Sequence, residues 1–212
     1  MKLEIRLERP EEWRQVEELT REAFWNVHVP GCDEHYLVHV LRGLESFIPA
    51  LDFVALSEGR IVGNIMYSMG RVEAENGQKK EVILFGPLSV LPAFQGKGVG
   101  GALIRHSAAV AKELGYAAIL IYGDPLYYGR FGFRAASEFG ITPPDGKPHP
   151  ALQALELSEG ALSGISGKFY EDNAFDVDKK AAEAYDMGFP VKEKGYAPSQ
   201  DRFRTLSGGE GV

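Results

Sequence analysis

A glycine-rich run near the middle of the chain has the composition of a phosphate-binding loop. The run spans Gln95–Gly101, with glycine at four of its seven positions; an apolar segment precedes it and an amphipathic stretch follows it. Glycines allow the backbone N–H groups of such a turn to face a ligand. The first turn of a following helix adds unpaired donors and the positive end of the helix dipole. The spacing therefore predicts a site for a phosphate or pyrophosphate group.

Two nucleotide-binding motifs offer other interpretations of this loop. Gly96, Gly98 and Gly101 match the dinucleotide fingerprint G-x-G-x-x-G, and Asp124 lies roughly 20 residues further on. In the dinucleotide fold, however, the first glycine follows its strand almost directly and strand–helix units continue, whereas here a five-residue segment intervenes and the alternation soon ends. The nearest Walker-like stretch has Pro148 where Ser or Thr should hold magnesium. A nucleotide-binding regulator that uses this loop to bind NAD or another nucleotide stays an alternative.

Composition and charge narrow the class of protein. Of 212 residues, 44% are hydrophobic and 25% are charged, which is typical of a globular protein with a sizeable core. A net charge of −7 argues against general binding to nucleic acid or anionic membranes, and favours a cationic small molecule or a basic peptide. Cys32 is the only cysteine, so no internal disulfide forms, and no signal-type or membrane-length apolar run occurs. We therefore predict a soluble, cytoplasmic protein.

Apolar periodicity predicts alternating strands and helices over about the first two-thirds of the chain. The predicted strands are Lys2–Glu8, Asp52–Leu56, Ile61–Val72, Val82–Val90 and Ala117–Tyr122. The predicted helices begin at Pro10, with a buried stripe of Trp13, Val16, Leu19 and Phe24; at Asp33, ending at Leu41; and at Gly98, ending at Gly115. The last two strands and the helix between them form a β-α-β unit.

The dipeptide Gly86-Pro87 interrupts the strand that leads into the loop. Proline cannot donate a hydrogen bond to a sheet ladder, so it occurs at edges, at bulges or where pairing breaks. One interpretation is an edge strand. The other, which the β-α-β unit favours, is a central strand whose ladder opens here and leaves backbone groups for a ligand.

Leu88-Ser-Val90-Leu-Pro92 is followed by Gln95-x-x-Gly-x-Gly, and after the next strand Tyr128 stands four residues before Gly132-Phe133. These two motifs resemble those of the GNAT superfamily of N-acetyltransferases, which use acetyl-coenzyme A (acetyl-CoA). The resemblance implies a mixed α/β fold with a splayed, mostly antiparallel central sheet flanked by helices. It implies an acetyltransferase domain over residues 1–170, with residues 171–212 as a C-terminal extension packed on the domain or on a partner.

By resemblance, the cosubstrate is acetyl-CoA, its pantetheine arm pairs with the backbone of β-strand residues, and its pyrophosphate lies on the loop. The implied binding residues are Leu88, Ser89, Val90, Gln95, Gly96, Lys97, Gly98, Val99, Gly100 and Gly101. The implied proton donor to the leaving thiolate is Tyr128, with Tyr127 as the register alternative, since phenol and thiol have pKa values of about 10 and 8.5. The implied reaction is direct attack of a primary amine on the thioester; a non-catalytic acyl-CoA-binding regulatory module is the alternative.

No general base is assigned, although Glu34, Glu81 and Asp124 could border the site. The spacing of His28, Cys32, His35 and His39 allows a zinc site as a competing hypothesis. Pro30-Gly31 breaks the helix between these residues and four ligands on one short segment strain tetrahedral geometry, so we assign no metal ligand. By resemblance, this segment lines the pocket of the amine acceptor, a small molecule or a peptide.

Beyond Phe133 the sequence predicts fewer elements. It predicts a proline-rich loop over residues 142–150 and a closing pair of strands, Leu152–Leu157 and Ser166–Tyr170. It also predicts a helix over Asp176–Met187, capped by Asp176. From Gly188 onward we predict an extended strap that frays at its end. Tyr196 and Phe203, expected to be exposed on this strap, would allow a homodimer.

Overall fold

The computed structural model describes residues 1–206, and a nine-stranded sheet runs through the centre of this part of the chain. The strands are β1 (Glu4–Leu7), β2 (Phe53–Ser57), β3 (Arg60–Glu73), β4 (Lys79–Val90), β5 (Ala118–Tyr122), β6 (Arg134–Ala135), β7 (Ile141–Thr142), β8 (Leu152–Glu156) and β9 (Gly167–Tyr170). The helices are α1 (Trp13–Phe24), α2 (Glu34–Leu41), α3 (Val99–Glu113), α4 (Pro125–Tyr128), α5 (Lys179–Asp186) and α6 (Ser199–Leu206).

The sheet has the order β1-β2-β3-β4-β5-β8-β6, with β9 paired to β3 and β7. Only the β4–β5 and β7–β9 pairs are parallel; the other pairs in the described chain are antiparallel. The predicted class, a mixed α/β fold with a mostly antiparallel sheet, is confirmed. No helix within residues 1–206 is long and apolar enough to cross a membrane.

The strand that carries Gly86-Pro87 is central, and its ladder does open. β4 and β5 pair only at Ile83 and Ile119, so the two strands separate on the side that leads toward the glycine-rich loop. On the other edge, β4 pairs with β3 along its length, with a bulge between Ile65 and Tyr67 that accommodates the Gly86-Pro87 step. The second interpretation of the proline is therefore confirmed, because pairing to β3 continues while pairing to β5 stops.

Helix α3 packs on one face of the sheet and joins β4 to β5. Leu103 and Ile104 are fully buried in the same apolar cluster as Ile83 and Ile119. Both ends of α3 are marked by glycines with a φ of +87°, Gly98 at the N-cap and Gly115 beyond the last turn. L side chains rarely adopt this conformation, so the glycines define where the helix begins and ends, as the sequence predicts.

Helices α1 and α2 pack around a second apolar cluster that contains Val16, Leu19 and Val38. The predicted buried stripe of α1 is wrong at Trp13, which is 43% exposed. Trp13 is the first residue of the helix, and the guanidinium of Arg42 lies 5.4 Å from the centre of its ring. An aromatic ring at a helix end can thus be partly covered by a cation instead of entering the core.

The predicted closing pair of strands forms, but its two members do not pair with each other. β8 pairs with β5 and β6, while β9 pairs with the second half of β3 and with β7. The predicted pairing was wrong because a short apolar run indicates a buried strand but does not specify which strand it pairs with.

Two details of the C-terminal segment also differ from the prediction. Asp178, not Asp176, caps α5: its carboxylate accepts hydrogen bonds from the N–H groups of Lys180 and Ala181 at 2.9 and 3.2 Å. Residues 190–197 form the predicted extended strap, which then leads into the unpredicted helix α6. The predicted fraying falls on residues 207–212, outside the described chain.

Candidate active site

Two cavities meet where β4 and β5 separate. We call the first, of about 640 Å³, the loop cavity, because the residues of the glycine-rich loop line it. We call the second, of about 800 Å³, the aromatic cavity, because Phe85, Tyr122 and Phe175 are among its walls. Five residues line both: Phe24, Val27, Leu88, Tyr127 and Tyr128. A long ligand could therefore extend from one cavity into the other past the two tyrosines.

The loop cavity has the backbone geometry of an anion site. Gly96 and Gly98 have φ values of +70° and +87°, which strain any other L residue. At Gly100 an added Cβ would lie 2.7 Å from the Tyr127 hydroxyl oxygen. The N–H groups of the first turn of α3 have no acceptor within the helix, because helical bonding starts with Ala102 N–H donating to Gly98. A phosphate group would find these donors and the positive end of the helix dipole.

The open edge of β4 presents backbone groups to the space between the cavities. Leu91 N–H donates to the Val62 carbonyl of β3 at 3.0 Å. Backbone groups alternate in direction along a strand, so those of Leu88 and Val90 point to the opposite edge, which β5 has left. The side-chain amide of Gln95 donates to the Val90 carbonyl at 3.0 Å and ties the start of the loop to the strand. The backbone N–H and carbonyl of Leu88 and the backbone N–H of Val90 therefore stay available to pair with an extended ligand.

Most, but not all, of the binding residues implied by the resemblance line the loop cavity. Those that do are Leu88, Val90, Gln95, Gly96, Gly98, Val99, Gly100 and Gly101. Ser89 lies outside both cavities, since its hydroxyl is buried and shares a hydrogen bond of 2.9 Å with Thr20. Lys97 also lies outside both linings, with its Nζ 5.6 Å from the ring centre of Phe94.

Two arginines that the sequence analysis missed supply positive charge instead. Arg105 and Arg130 both line the loop cavity. The Arg130 guanidinium lies 4.6 Å from the ring centre of Tyr127 and donates to its backbone carbonyl at 3.2 Å. Arg105 stands one helical turn after Gly101, which places both on the same face of α3. That spacing is the signal that could have identified Arg105, and Arg130 stands two residues after Tyr128 within the second motif.

Tyr128 lies in the wall that the two cavities share. Its ring packs between Phe85 and Phe133, with centroids 5.8 and 5.6 Å away. A Cβ on Gly123 would lie 2.2 Å from the ring, so this position accepts only glycine while the tyrosine stays in place. Burial first, and then the neighbouring Tyr127 and Asp124, raises the pKa of Tyr128. The phenol is therefore neutral at ordinary pH and able to donate a proton or a hydrogen bond.

The three acidic residues named from the sequence differ in whether they line a cavity and in which residue they pair with. Glu34 lines the aromatic cavity and its carboxylate lies 2.8 Å from Nδ1 of His28. Asp124 also lines this cavity and forms an ion pair with Arg202 of α6. Glu81 pairs across the ladder with Arg71 and lines neither cavity.

A fourth acidic residue, Glu171, was missed by the sequence analysis. It follows β9 directly and lines the aromatic cavity. Burial raises the pKa of its carboxyl to about 7. Nothing in the spacing of the sequence distinguishes Glu171 from a surface glutamate, because its environment depends on how β9 packs over the sheet. A carboxyl that titrates near neutral pH in a cavity can accept a proton from a ligand.

Of the four residues of the zinc hypothesis, Cys32 and His35 contact each other, whereas His28 and His39 each contact a glutamate. His28 lies beside Glu34, His39 has its Nδ1 3.1 Å from Glu17, and Cys32 Sγ lies 3.5 Å from Nδ1 of His35. Within residues 1–206 no group of three or more His, Cys, Asp or Glu side chains could hold a metal ion. Of the four, only His28 lines the aromatic cavity.

Helix α6 covers part of the aromatic cavity. The Phe203 ring lines the cavity and stacks on His28 with centroids 4.4 Å apart, and the side chain is still 38% exposed, as the sequence predicts. Gln200 is buried and donates to the carbonyls of Asn26 and Gly195 at 3.1 and 3.0 Å. Tyr196, the other residue considered for a dimer, is 66% exposed.

The chain is similar to known acetyltransferases in sequence. A family model described as the acetyltransferase (GNAT) domain matches residues 51–135. The uncharacterized N-acetyltransferase YhbS of Escherichia coli K12 is 31% identical over 164 residues, which cover 77% of this chain and 92% of YhbS. The uncharacterized N-acetyltransferase YjhQ of the same strain is 37% identical over 134 residues, which cover 60% of this chain and 74% of YjhQ.

Two solved structures have a similar fold. The crystal structure of E. coli YhbS in complex with CoA has a TM-score of 0.72 and 28% identity, covering 83% of this chain and 93% of that one. A GNAT family acetyltransferase from Brucella melitensis in complex with acetyl-CoA has a TM-score of 0.66 and 30% identity, covering 82% of this chain and 99% of that one.

Proposed function

This chain belongs to the GNAT family of acetyltransferases, and from that premise we propose that it transfers the acetyl group of acetyl-CoA to a primary amine. The observation that carries the proposal is the meeting of the two cavities at Tyr128, beside the open edge of β4. One cavity suits an anionic cosubstrate, the other a second reactant, and a proton donor lies in their common wall.

The residues of the loop cavity fit a CoA molecule in charge and in shape. The N–H groups of Gly96–Gly101 would receive the pyrophosphate, and Arg105 and Arg130 would balance its remaining negative charge. The exposed edge of Leu88 and Val90 would pair with the amide groups of the pantetheine arm. Bound there, acetyl-CoA supplies an acetyl group already activated as a thioester.

Tyr128 is the residue that we assign to the leaving group. The amine nitrogen forms the amide bond to the acetyl carbon while the carbon–sulfur bond breaks, and the sulfur takes a proton from the Tyr128 hydroxyl. The phenol then recovers a proton released by the amine nitrogen, so the side chain ends unchanged. Burial raises the pKa of Tyr128, so the phenol keeps its proton until the thiolate forms beside it. The Val90 N–H is our candidate for polarising the thioester carbonyl.

We further propose that residues 1–170 form the catalytic domain and that the following extension completes its acceptor side. Two contacts support packing of the extension on the domain. The Arg21 guanidinium binds the Asp186 carboxylate at 2.6 Å, and the Tyr185 hydroxyl donates to Glu17 at 2.7 Å. These pairs attach α5 to α1. After α5 the chain returns across the aromatic cavity as α6.

The experiment is release of free thiol from acetyl-CoA in the presence of single primary amines, with the acetylated amine identified by its mass. We expect at least one amine to release thiol in equal amount to the amide formed. Tight binding of acetyl-CoA without acceleration by any amine would overturn the proposal in favour of a non-catalytic acyl-CoA-binding module.

A further inference from the structure

We propose that the aromatic cavity takes a primary amine carried on a flat apolar body, with the Glu171 carboxylate receiving its ammonium group. This inference rests on the proposed function and adds the chemical class of the acceptor and the residue that takes the acceptor's proton.

The walls of the aromatic cavity suit an apolar body in preference to a polar one. Phe24, Phe85, Tyr122, Phe175 and Phe203 all contribute to its lining. Aromatic rings favour another flat ring through edge-to-face or offset contacts, in addition to the apolar area that they bury. A volume of about 800 Å³ leaves room for a molecule of roughly drug-like size.

Within residues 1–206, Glu171 is the carboxylate of this cavity that has no hydrogen-bond or ion-pair partner. The carboxylate of Glu34 is paired with His28, and that of Asp124 with Arg202. A partly buried carboxylate without a partner is costly, and an ammonium group is the partner that an amine substrate brings.

The surroundings of Glu171 are consistent with a role in proton transfer. Burial first, and then the negative charges of Glu171 and Asp145, raise the pKa of Tyr122 to about 12, and Tyr122 and Glu171 line the same cavity. Besides the two pairs above, the titratable groups that line the cavity with it are Tyr122 of β5, Tyr127 and Tyr128 of α4, and His149 of the loop before β8. No cation contributes to the Glu171 pKa, which burial alone raises to about 7.

The proton balance assigns separate tasks to Glu171 and Tyr128. A primary ammonium carries three protons and the nitrogen of the product amide carries one. Glu171 takes the first proton before attack, since only the neutral amine has a free electron pair, and later releases it to solvent. The second leaves the nitrogen as the amide forms and balances the proton that Tyr128 gives to the thiolate.

The same geometry selects against two other kinds of amine. A diamine has a second ammonium group, and the other carboxylates of the cavity, Glu34 and Asp124, are already paired with His28 and Arg202. An amino acid has a carboxylate that would enter the cavity beside Glu171, where two like charges repel each other. A monoamine with a ring, such as 2-phenylethylamine, meets neither obstacle.

The test is calorimetric titration of 2-phenylethylamine into the protein saturated with CoA, a complex that cannot react. The comparison ligands are 1,4-diaminobutane and 2-phenylethanol, which lack the ring and the charge respectively. We expect 2-phenylethylamine to bind at least about tenfold more tightly than either at pH 8. We also expect its affinity to fall as the pH drops through 7, where Glu171 becomes protonated.

Glu171→Gln should reduce the affinity for 2-phenylethylamine at pH 8 at least about tenfold and abolish its pH dependence near 7, while the affinity for CoA stays the same. Glu159→Gln is the matched control, because Glu159 is exposed and lies outside both cavities. Preference for 1,4-diaminobutane, or unchanged affinity in Glu171→Gln, would overturn the inference while leaving acetyl transfer intact. If the unsubstituted protein fails to bind CoA, the proposed function itself is contradicted.

Discussion

The backbone N–H of Tyr128 donates to the carbonyl oxygen of Asp124 at 3.0 Å. The Asp124 carboxylate caps the same helical turn by accepting from the Leu126 N–H at 2.9 Å. One residue thus holds both ends of the short turn that points the Tyr128 ring into the wall between the cavities. The position of the proposed proton donor depends on local hydrogen bonds as well as on ring packing.

Tyr128→Phe should lower kcat about 100-fold while leaving the affinity for acetyl-CoA within about twofold of the parent value. The substitution removes the hydroxyl but keeps the ring between Phe85 and Phe133, so the fold should be preserved. Thiol release under saturating substrates measures the effect, and titration with acetyl-CoA measures the affinity.

Tyr127→Phe is the comparison that distinguishes the two tyrosines. The Tyr127 hydroxyl lies toward Gly100 of the loop, so its removal should affect acetyl-CoA affinity more than kcat. If Tyr127→Phe abolishes turnover and Tyr128→Phe does not, the assignment of the proton donor belongs to Tyr127.

Gly98→Ala should weaken acetyl-CoA binding at least about tenfold. Gly98 lines the loop cavity where the pyrophosphate is proposed to lie, and its φ of +87° would strain an alanine there. Gly115→Ala provides a matched control, because Gly115 has the same φ and equally open surroundings at the other end of α3. Each substitution should cost about 1 kcal/mol of folding free energy. Equal acetyl-CoA affinities in the two variants would contradict the placement of the pyrophosphate.

Arg105→Gln should reduce acetyl-CoA affinity about tenfold and make that affinity less sensitive to salt. The guanidinium lines the loop cavity and is exposed, so it contributes charge without supporting the core. Lys112→Gln, near the far end of the same helix, removes the same charge away from the loop. Titrations at low and high salt should separate the two variants; identical salt dependence would remove Arg105 from the site.

Glu171→Gln should stabilise the protein at pH 8 and not at pH 4. The folded-state pKa of about 7 exceeds the ordinary value of 4.5, so the stability associated with the protonated carboxyl is present at low pH and is lost as the pH rises through 7. The two proteins should differ by up to about 3 kcal/mol above pH 7 and should agree below the ordinary value. Urea unfolding at pH 4 and pH 8 measures this; equal stability at pH 8 would show that Glu171 is well solvated.

The sequence predicted the part of the fold that local chemistry specifies. Glycines at positions 96, 98 and 115 encode a backbone conformation, and Gly86-Pro87 encodes a break in pairing, so the central β-α-β unit could be located. The partners of β8 and β9 could not, because a short apolar strand fits several neighbours. The cap of α5 illustrates the same limit, since Asp176 and Asp178 are chemically identical and tertiary packing selects between them.

The candidate site divides in the same way. The loop and Tyr128 belong to motifs with fixed spacing, so the sequence identifies them. Glu171 and Phe203 come from segments without such motifs, and they line the aromatic cavity only because β9 and α6 pack there. Ser89 shows the converse: it stands within the motif, but the alternation of β4 turns its hydroxyl toward Thr20.

The most direct test of the central claim is calorimetric titration of the protein with acetyl-CoA, beside CoA, NAD and ATP. We expect acetyl-CoA and CoA to bind with micromolar dissociation constants and NAD not to bind. Binding of NAD or ATP without either CoA species would contradict it and would assign the glycine-rich loop to a nucleotide.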